Sequence, residues 1–247
     1  MNEIIVFGFL ASLMAGLATS LGAFPTFLMK EISHKVLDSM LGFAAGVMSA
    51  AAVFSLLIPS IELGSIWITV IGFLVGSMFT HFLDVYVPHE HIFKGHEGPS
   101  SSLSKTSLMI LAIAIHNFPE GLAVGVSFGE KDILAGIVMA MAIGLQNIPE
   151  GAAVAFPLIR EGFTRRKAIW YTTLTGLIEP VGGLIGVTIA SAASQMLPII
   201  LSFAAGAMIF IVSHEIIPET HRKGHEIEGT FGFILGFAIM MILDSLI

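Results

Sequence analysis

Eight apolar runs alternate with short polar breaks along the chain: 4–28, 36–60, 66–86, 106–128, 133–159, 168–192, 197–219 and 229–247. Apolar runs of about 18 residues or more read as membrane spans. Lipid offers the backbone no hydrogen-bond partner, so such spans must be helices. The pattern predicts an all-α membrane protein of eight transmembrane helices, forming one polytopic domain over 1–247. The first span is expected to bend near Gly22 and Pro25. The longest break, 87–105, holds Pro88-His89-Glu90-His91, His96 and Glu97 and reads as a polar, mobile loop. Gly129-Glu130-Lys131-Asp132 is so short a linker that spans four and five should be antiparallel neighbours.

Two repeats run through this pattern. Phe43-Ala44-Ala45-Gly46-Val47-Met48 in span two returns as Phe203-Ala204-Ala205-Gly206-Ala207-Met208 in span seven, 160 residues on. Each is followed by a proline, Pro59 and Pro218, with spacings that differ by one. Spans two and seven cross in opposite directions by parity, which is what an inverted-topology repeat looks like. Packing of small residues by convergence is the plainer account of the same match. The expected arrangement is an inverted repeat of spans 1–3 and 6–8 around spans 4 and 5. The second repeat is shorter. His116-Asn117-Phe118-Pro119-Glu120-Gly121 in span four matches Gln146-Asn147-Ile148-Pro149-Glu150-Gly151 in span five, thirty residues on.

Composition agrees with a membrane protein: 55% of residues are hydrophobic and 12% charged, against about 25% charged in soluble domains. The absence of cysteine excludes a disulfide framework and thiolate metal ligation. With a net charge of −7 and no basic patch, nucleic acid is not an expected partner. The first span has Asn2 and Glu3 where a cleavable signal would have basic residues. Lysine and arginine are lopsided. Lys30, Lys35, Lys94, Lys105, Arg160, Arg165, Arg166, Lys167, Arg222 and Lys223 all fall in odd-numbered loops, and only Lys131 falls on the other side. The positive-inside rule then puts both termini outside the cytoplasm and the 87–105 loop inside it.

Glu120, Glu150 and Glu179 stand in mid-span, and no lysine or arginine lies within a span at that depth. A charge at the bilayer centre costs about 3 kcal/mol even on lenient scales. Protons or a bound cation must therefore compensate. Residues four apart stack on one helix face, so His116 joins Glu120 and Gln146 joins Glu150. Imidazole, carboxylate and amide oxygens together suit a divalent metal of intermediate hardness, Zn²⁺, Mn²⁺ or Fe²⁺. Two glutamates shared between two ions could hold a metal pair, as carboxylate bundles do. Pro119 and Pro149 remove the backbone bonds that would reach the carbonyls of Ile115 and Leu145, and Pro180 follows Glu179 in a third interrupted helix. Gly121 with Gly125, and Gly151 with Ala155, are small-residue faces expected to bring spans four and five together.

Further candidates are His214 and Glu215, near the inner third of span seven, and the loop histidines His89, His91 and His96. They read equally as pathway or loop metal ligands and as solvated polar ends. Two motifs point to an intramembrane protease instead. Gly125-Val126-Ser127-Phe128-Gly129 has the G-x-S-x-G form but lacks a strand–turn–helix setting. His214-Glu215-Ile216-Ile217-Pro218 has proline where a zinc protease needs its second histidine. A metal sensor that transports nothing is a third reading.

The paired His-Asn-Phe-Pro-Glu-Gly and Gln-Asn-Ile-Pro-Glu-Gly motifs resemble the fourth and fifth helices of the ZIP (Zrt-/Irt-like) metal transporters, in their GufA-like bacterial branch. The likeness extends over nearly the whole chain. It implies a non-enzymatic, homodimeric importer of divalent metal, zinc foremost with iron, manganese, cobalt or cadmium besides, in the cell (inner) membrane. Access would alternate as one helix bundle slides against another. By the same resemblance His116, Glu120, Gln146 and Glu150, with Met48 from span two, match a first metal position. Asn117, Glu120, Asn147, Glu150 and Glu179 match a second. Some members have aspartate at Asn147, and the neutral amide here weakens the charge at that second position. A reporter fused to the C-terminus should be active only outside the cytoplasm; cytoplasmic activity would overturn the topology.

Overall fold

The computed structural model of the chain describes residues 2–29, 31–91, 95–129 and 133–245. Lys30, Lys94 and the Glu130-Lys131-Asp132 linker lie outside them, as do the side chains of His91 and Lys105. Among the described residues, eight helices are long and apolar enough to cross a membrane. Helix α1 is Asn2–Leu21. It ends where the sequence predicts a bend, in a turn leading to a 3₁₀ segment, Phe24–Phe27, that contains Pro25. Helices α2 (His34–Leu63) and α3 (Ile66–Tyr86) follow. Both are N-capped, as serine before an apolar run predicts: Ser33 Oγ accepts from Val36 N–H and Ser65 Oγ from Ile68 N–H. Helices α4 (Lys105–Ser127) and α5 (Ile133–Arg160) run unbroken through Pro119 and Pro149. Helix α6 (Arg165–Ala192) is interrupted between Gly176 and Glu179. Helices α7 (Ser194–Thr220) and α8 (Glu226–Asp244) complete the bundle.

The described residues of the loop after α3 include regular structure. Strands β1 (His89–His91) and β2 (Gly95–Glu97) form an antiparallel hairpin with His89 opposite Glu97 and Glu90 opposite His96. Among the described residues, the otherwise all-α fold thus carries one small sheet, packed through β1 on α4.

The helices make two bundles. In one, α4 lies on α6 and α1 on α5; in the other, α2 lies on α8 and α3 on α7. The bundles meet through α2 against α5 and α4 against α7. This arrangement is two-fold symmetric if each residue of α1 to α3 is matched to the one 160 positions later, and α4 to α5 thirty positions later. Backbone contacts obey the relation in pairs. Gly46 packs on the Phe233 carbonyl and its mate Gly206 on that of Phe73. Gly151 packs on the carbonyl of Thr19 and Gly121 on that of Glu179; Gly16 and Gly176 pack on each other's carbonyls. The short sequence repeat is thus the visible part of a gapless one extending to Asp84 and Asp244. The same contacts correct one expectation. The small-residue face of α4 closes on α6 and that of α5 on α1, which leaves the polar faces of α4 and α5 free to meet.

Both repeats contain a π turn, Ala52–Leu57 in α2 and Val212–Ile216 in α7. Each precedes the proline that the sequence repeat shares, Pro59 or Pro218, whose ring nitrogen cannot supply the next helical hydrogen bond. Such bulges re-aim side chains and favour functional positions. Here Ser55 reaches Asp244 of α8, Oγ donating at 2.6 Å, while Glu215 reaches α4.

Polarity is inverted relative to a soluble protein. Val6, Phe7, Met14, Trp67, Met78 and Phe231 are exposed, whereas Asn117, Glu120, Gln146, Asn147 and Glu179 are fully buried. Lipid-facing apolar surface and a polar interior are what a bilayer selects. Because Gly46 and Gly206 touch backbone, Gly46→Val or Gly206→Val should cost about 1–3 kcal/mol or more through overpacking. A lower melting temperature in detergent would show it; wild-type melting in both variants would refute the helix contact.

Candidate metal site

The interruption of α6 supplies one wall of the site. Its second half opens at Glu179, with Pro180 in the first turn, where a missing N–H costs nothing and the helix dipole favours a carboxylate. At the end of its first half, Asn117 Nδ2 donates to the carbonyl of Thr175 at 3.1 Å. The symmetry mate of that bond is present too: Asn147 Nδ2 donates to Ala15 O at 2.8 Å.

A chain of amides links the carboxylates. Gln146 Nε2 donates to Glu120 Oε2 at 2.6 Å and to Asn147 Oδ1 at 2.8 Å. Asn147 Nδ2 then donates to Glu179 Oε1 at 2.7 Å. Glu150 lies near enough to Glu120, Glu179 and His116 for their charges to interact. The sequence expectation that the heads of α4 and α5 converge therefore has direct contacts behind it. Among the described residues, buried Glu120 Oε1, Gln146 Oε1 and Glu150 Oε1 accept no hydrogen bond, nor do Asn117 Oδ1 and Glu179 Oε2. Buried oxygens of this kind cost about 1–3 kcal/mol each when left unsatisfied, and more when charged. They are the donor atoms a divalent cation takes.

His116 faces elsewhere as well. Its Nε2 lies 2.7 Å from Glu215 Oε2, the side chain that the π turn of α7 turns inward. His214 Nε2 lies 3.6 Å from Asp84 Oδ2 at the end of α3, with its ring against Phe210. Asp84 in turn meets the hairpin: His89 Nε2 is 3.2 Å from Asp84 Oδ1 and 3.6 Å from Glu97 Oε2. Asp84, His89 and Glu97 are the one trio of acidic and histidine side chains, among the described residues, whose ligand atoms all lie within 4.8 Å of one another. The sequence places Asp84, His89 and Glu97 in one run of histidines and carboxylates at and after the end of span three, without saying which of them meet. Strand register brings Glu97 opposite His89, and register is not legible in so short a loop. Strand alternation sends the neighbouring pair away: His96 Nδ1 lies 3.7 Å from Glu90, and its Nε2 lies 2.9 Å from Pro99 O. His91 belongs to β1 by its backbone alone.

Met48 is fully buried in the aliphatic core that also holds Ala123, Val124 and Ile143, and its repeat mate Met208 is in the same core. Ser127, the serine of the protease-like motif, donates its hydroxyl proton to Ala123 O of its own helix at 2.8 Å. At the end of the molecule opposite the hairpin, Ser55, Glu62, Ser127 and Asp244 line a cavity of about 340 Å³.

Fold and site together define a polytopic membrane protein with an acidic, amide-bridged cluster buried at mid-depth. Residues 89–244 match the family described as ZIP zinc transporter. The chain is 43% identical to the zinc transporter ZIPB of Bordetella bronchiseptica over 92% of its own length and 77% of that protein's. It is 42% identical to the zinc transporter GufA of Myxococcus xanthus over 96% and 97%, and 32% identical to human zinc transporter ZIP11 over 92% and 93%. The chain belongs to the ZIP family.

The hairpin should be pH-sensitive. Burial alone would lower the His89 value, but the Asp84 carboxylate, the Val87 carbonyl and the charge of Glu215 outweigh it and raise it above the ordinary 6.5. A group raised on folding contributes stability that is complete below its unfolded value and lost as pH climbs through its folded one. In metal-free protein the His89 imidazole should titrate above 6.5 by NMR, and Asp84→Asn should lower that midpoint; a midpoint below 6.5 in the wild type would contradict the contact.

Proposed function

We propose that this protein carries divalent metal ions, zinc foremost, across the cell membrane into the cytosol. The observation that carries the reading is the convergence of Glu120, Gln146 and Glu150, each with a buried oxygen that accepts no hydrogen bond, in spans without a lysine or arginine at that depth. A metal ion supplies the missing charge and the missing partners together. The names of the relatives favour zinc as the cargo and favour transport over proteolysis or sensing. On this reading the basic loops face the cytoplasm, both termini lie outside, and the working unit is a homodimer, as the family resemblance implies.

The route follows from the ligand ladder. Metal arrives at the cavity beside Ser55, Glu62 and Asp244 and sheds water as carboxylates replace it at Glu120 and Glu150. His116, which also touches Glu215, passes it toward His214, Asp84, His89 and Glu97. Each step exchanges one hard or borderline ligand for another, so no step strands a bare ion in hydrocarbon. Alternating access is supported by the two-bundle plan. Alanines at Ala44, Ala45, Ala51, Ala204 and Ala205, all fully buried, give smooth surfaces over which one bundle can move against the other.

Glu120→Ala or Glu150→Ala should each abolish uptake of radioactive zinc into proteoliposomes while leaving protein in the membrane. Asp84→Ala or Glu215→Ala should slow uptake and leave the central site able to bind metal. Wild-type uptake by both central variants would refute the site.

A further inference from the structure

We propose that the junction of α5 and α6 binds one anionic phospholipid of the adjoining leaflet, with the guanidinium groups of Arg165 and Arg166 on its phosphate and Phe27, Ile159 and Phe163 against its acyl chains. The inference goes beyond the transport reading and does not depend on it. It needs only that α5 and α6 span the membrane.

The cavity lies at the end of the bundle that carries the hairpin. It measures about 660 Å³ and is lined by Phe27, Ile159, Phe163, Thr164, Arg165 and Arg166, a size within the roughly 300–1,000 Å³ of small-molecule sites. Its lining is divided between three apolar side chains and two guanidinium groups. Rigid elements hold it. Gly162, at φ 89°, turns the chain out of α5; its N–H donates to Ile159 O, and the Phe163 N–H donates to Leu158 O. Thr164 Oγ1 accepts from Lys167 N–H, and α6 opens one residue later. The Phe163 ring stands edge-on to Tyr171, centroids 5.7 Å apart. The 3₁₀ segment that carries Phe27 packs on both α5 and α6. All the lining residues thus belong to the bundle of α1, α4, α5 and α6, and the lipid rides with that bundle alone.

Charge points to the headgroup. Several other basic residues at this end are engaged: Lys35 Nζ lies 2.8 Å from Glu228 Oε1, Arg222 Nη1 lies 3.8 Å from Glu219 Oε2, and Arg160 donates to Ile32 O at 3.3 Å. Arg165 and Arg166 have no acidic partner among the described residues. Two adjacent guanidinium groups without a counter-charge at a membrane end suit a phosphodiester, whose oxygens accept paired N–H bonds from arginine.

Two observations favour a lipid over a soluble anion. The 3₁₀ segment and the residues after it present Phe24, Phe27, Leu28 and Met29 outward, Leu28 being 90% exposed. Apolar side chains presented in a row beside basic ones belong among acyl chains and not in water. Depth agrees. The chain has two tryptophans, Trp67 and Trp170, both exposed and near opposite ends of the bundle, where such rings mark the headgroup level. Trp170 follows Arg166 by four residues and Arg165 by five, about 6–8 Å along α6. The arginines therefore stand one helical turn outside the tryptophan, at the level of the lipid phosphates.

The test is native mass spectrometry of full-length protein in detergent, offered equal amounts of phosphatidylglycerol and phosphatidylcholine with the same acyl chains. Wild type should retain one phosphatidylglycerol in preference to phosphatidylcholine. Arg165→Gln/Arg166→Gln should weaken that retention about tenfold or more at an unchanged melting temperature. Arg222→Gln/Lys223→Gln, which removes the same charge elsewhere at this end, should leave it intact. Excess glycerol phosphate, the headgroup without chains, should not displace the lipid. Equal retention of the two lipids by wild type would overturn the proposal, as would wild-type retention by Arg165→Gln/Arg166→Gln. Equal loss in both double variants would reduce the preference to net charge and overturn it too. Displacement by glycerol phosphate would make this a soluble-anion site and defeat the lipid assignment.

Discussion

Carboxylates held away from water without a fixed positive partner govern this molecule. Glu120, Glu150 and Glu179 lie where ionisation costs several kilocalories per mole in the absence of compensation. The fold offers partial answers and withholds a complete one. Gln146 and Asn147 lend N–H dipoles to Glu120 and Glu179, and the opening turn of the second half of α6 lends its dipole to Glu179. These satisfy one oxygen of each of those two groups. What remains is a set of buried oxygens whose best partner is mobile. A transport site has to bind its cargo well enough to strip water from it and weakly enough to release it, and incomplete internal compensation does both.

The two-fold relation explains how such a site can be reached from either side. A symmetric scaffold puts equivalent features at opposite ends: a π turn in α2 and another in α7, Asp244 at one end and Asp84 at the other. Direction comes from where the symmetry fails. Glu215 replaces Ser55, His116 corresponds to Gln146, and Glu179 replaces Thr19. Toward the hairpin the departures add carboxylate and imidazole, which makes a run of such groups at His116 and Glu215 and at Asp84, His89 and Glu97. Toward the other end the same positions carry a serine and an open cavity. The scaffold is thus shared between the two sides, and the chemistry is not.

Helix count, boundaries to within a few residues, the polar residues that meet at the centre and the existence of an inverted repeat were all legible in the amino-acid order. The bilayer makes them so. A span must be apolar over a set length, and a polar residue inside it must have a reason. The partners of the small residues were not legible. Gly121 and Gly151 were expected to join α4 to α5, yet they pack against α6 and α1. A glycine face says that some backbone approaches and does not say which one. Which of the histidines and carboxylates after span three meet was not legible for a similar reason, since only strand pairing carries Glu97 to His89.

The sequence by itself determined that acids sit at mid-membrane, that no fixed cation accompanies them, and that the residues beside them can ligate a metal. Those facts follow from residue type and depth alone. Tertiary structure decided which atoms of those residues face one another. An asparagine carries a donor and an acceptor on the same carbon, and nothing in its position along the chain says which one is turned toward Glu179. Packing of α1 and α6 against the central helices made that choice, by placing the Ala15 carbonyl where only an N–H can meet it.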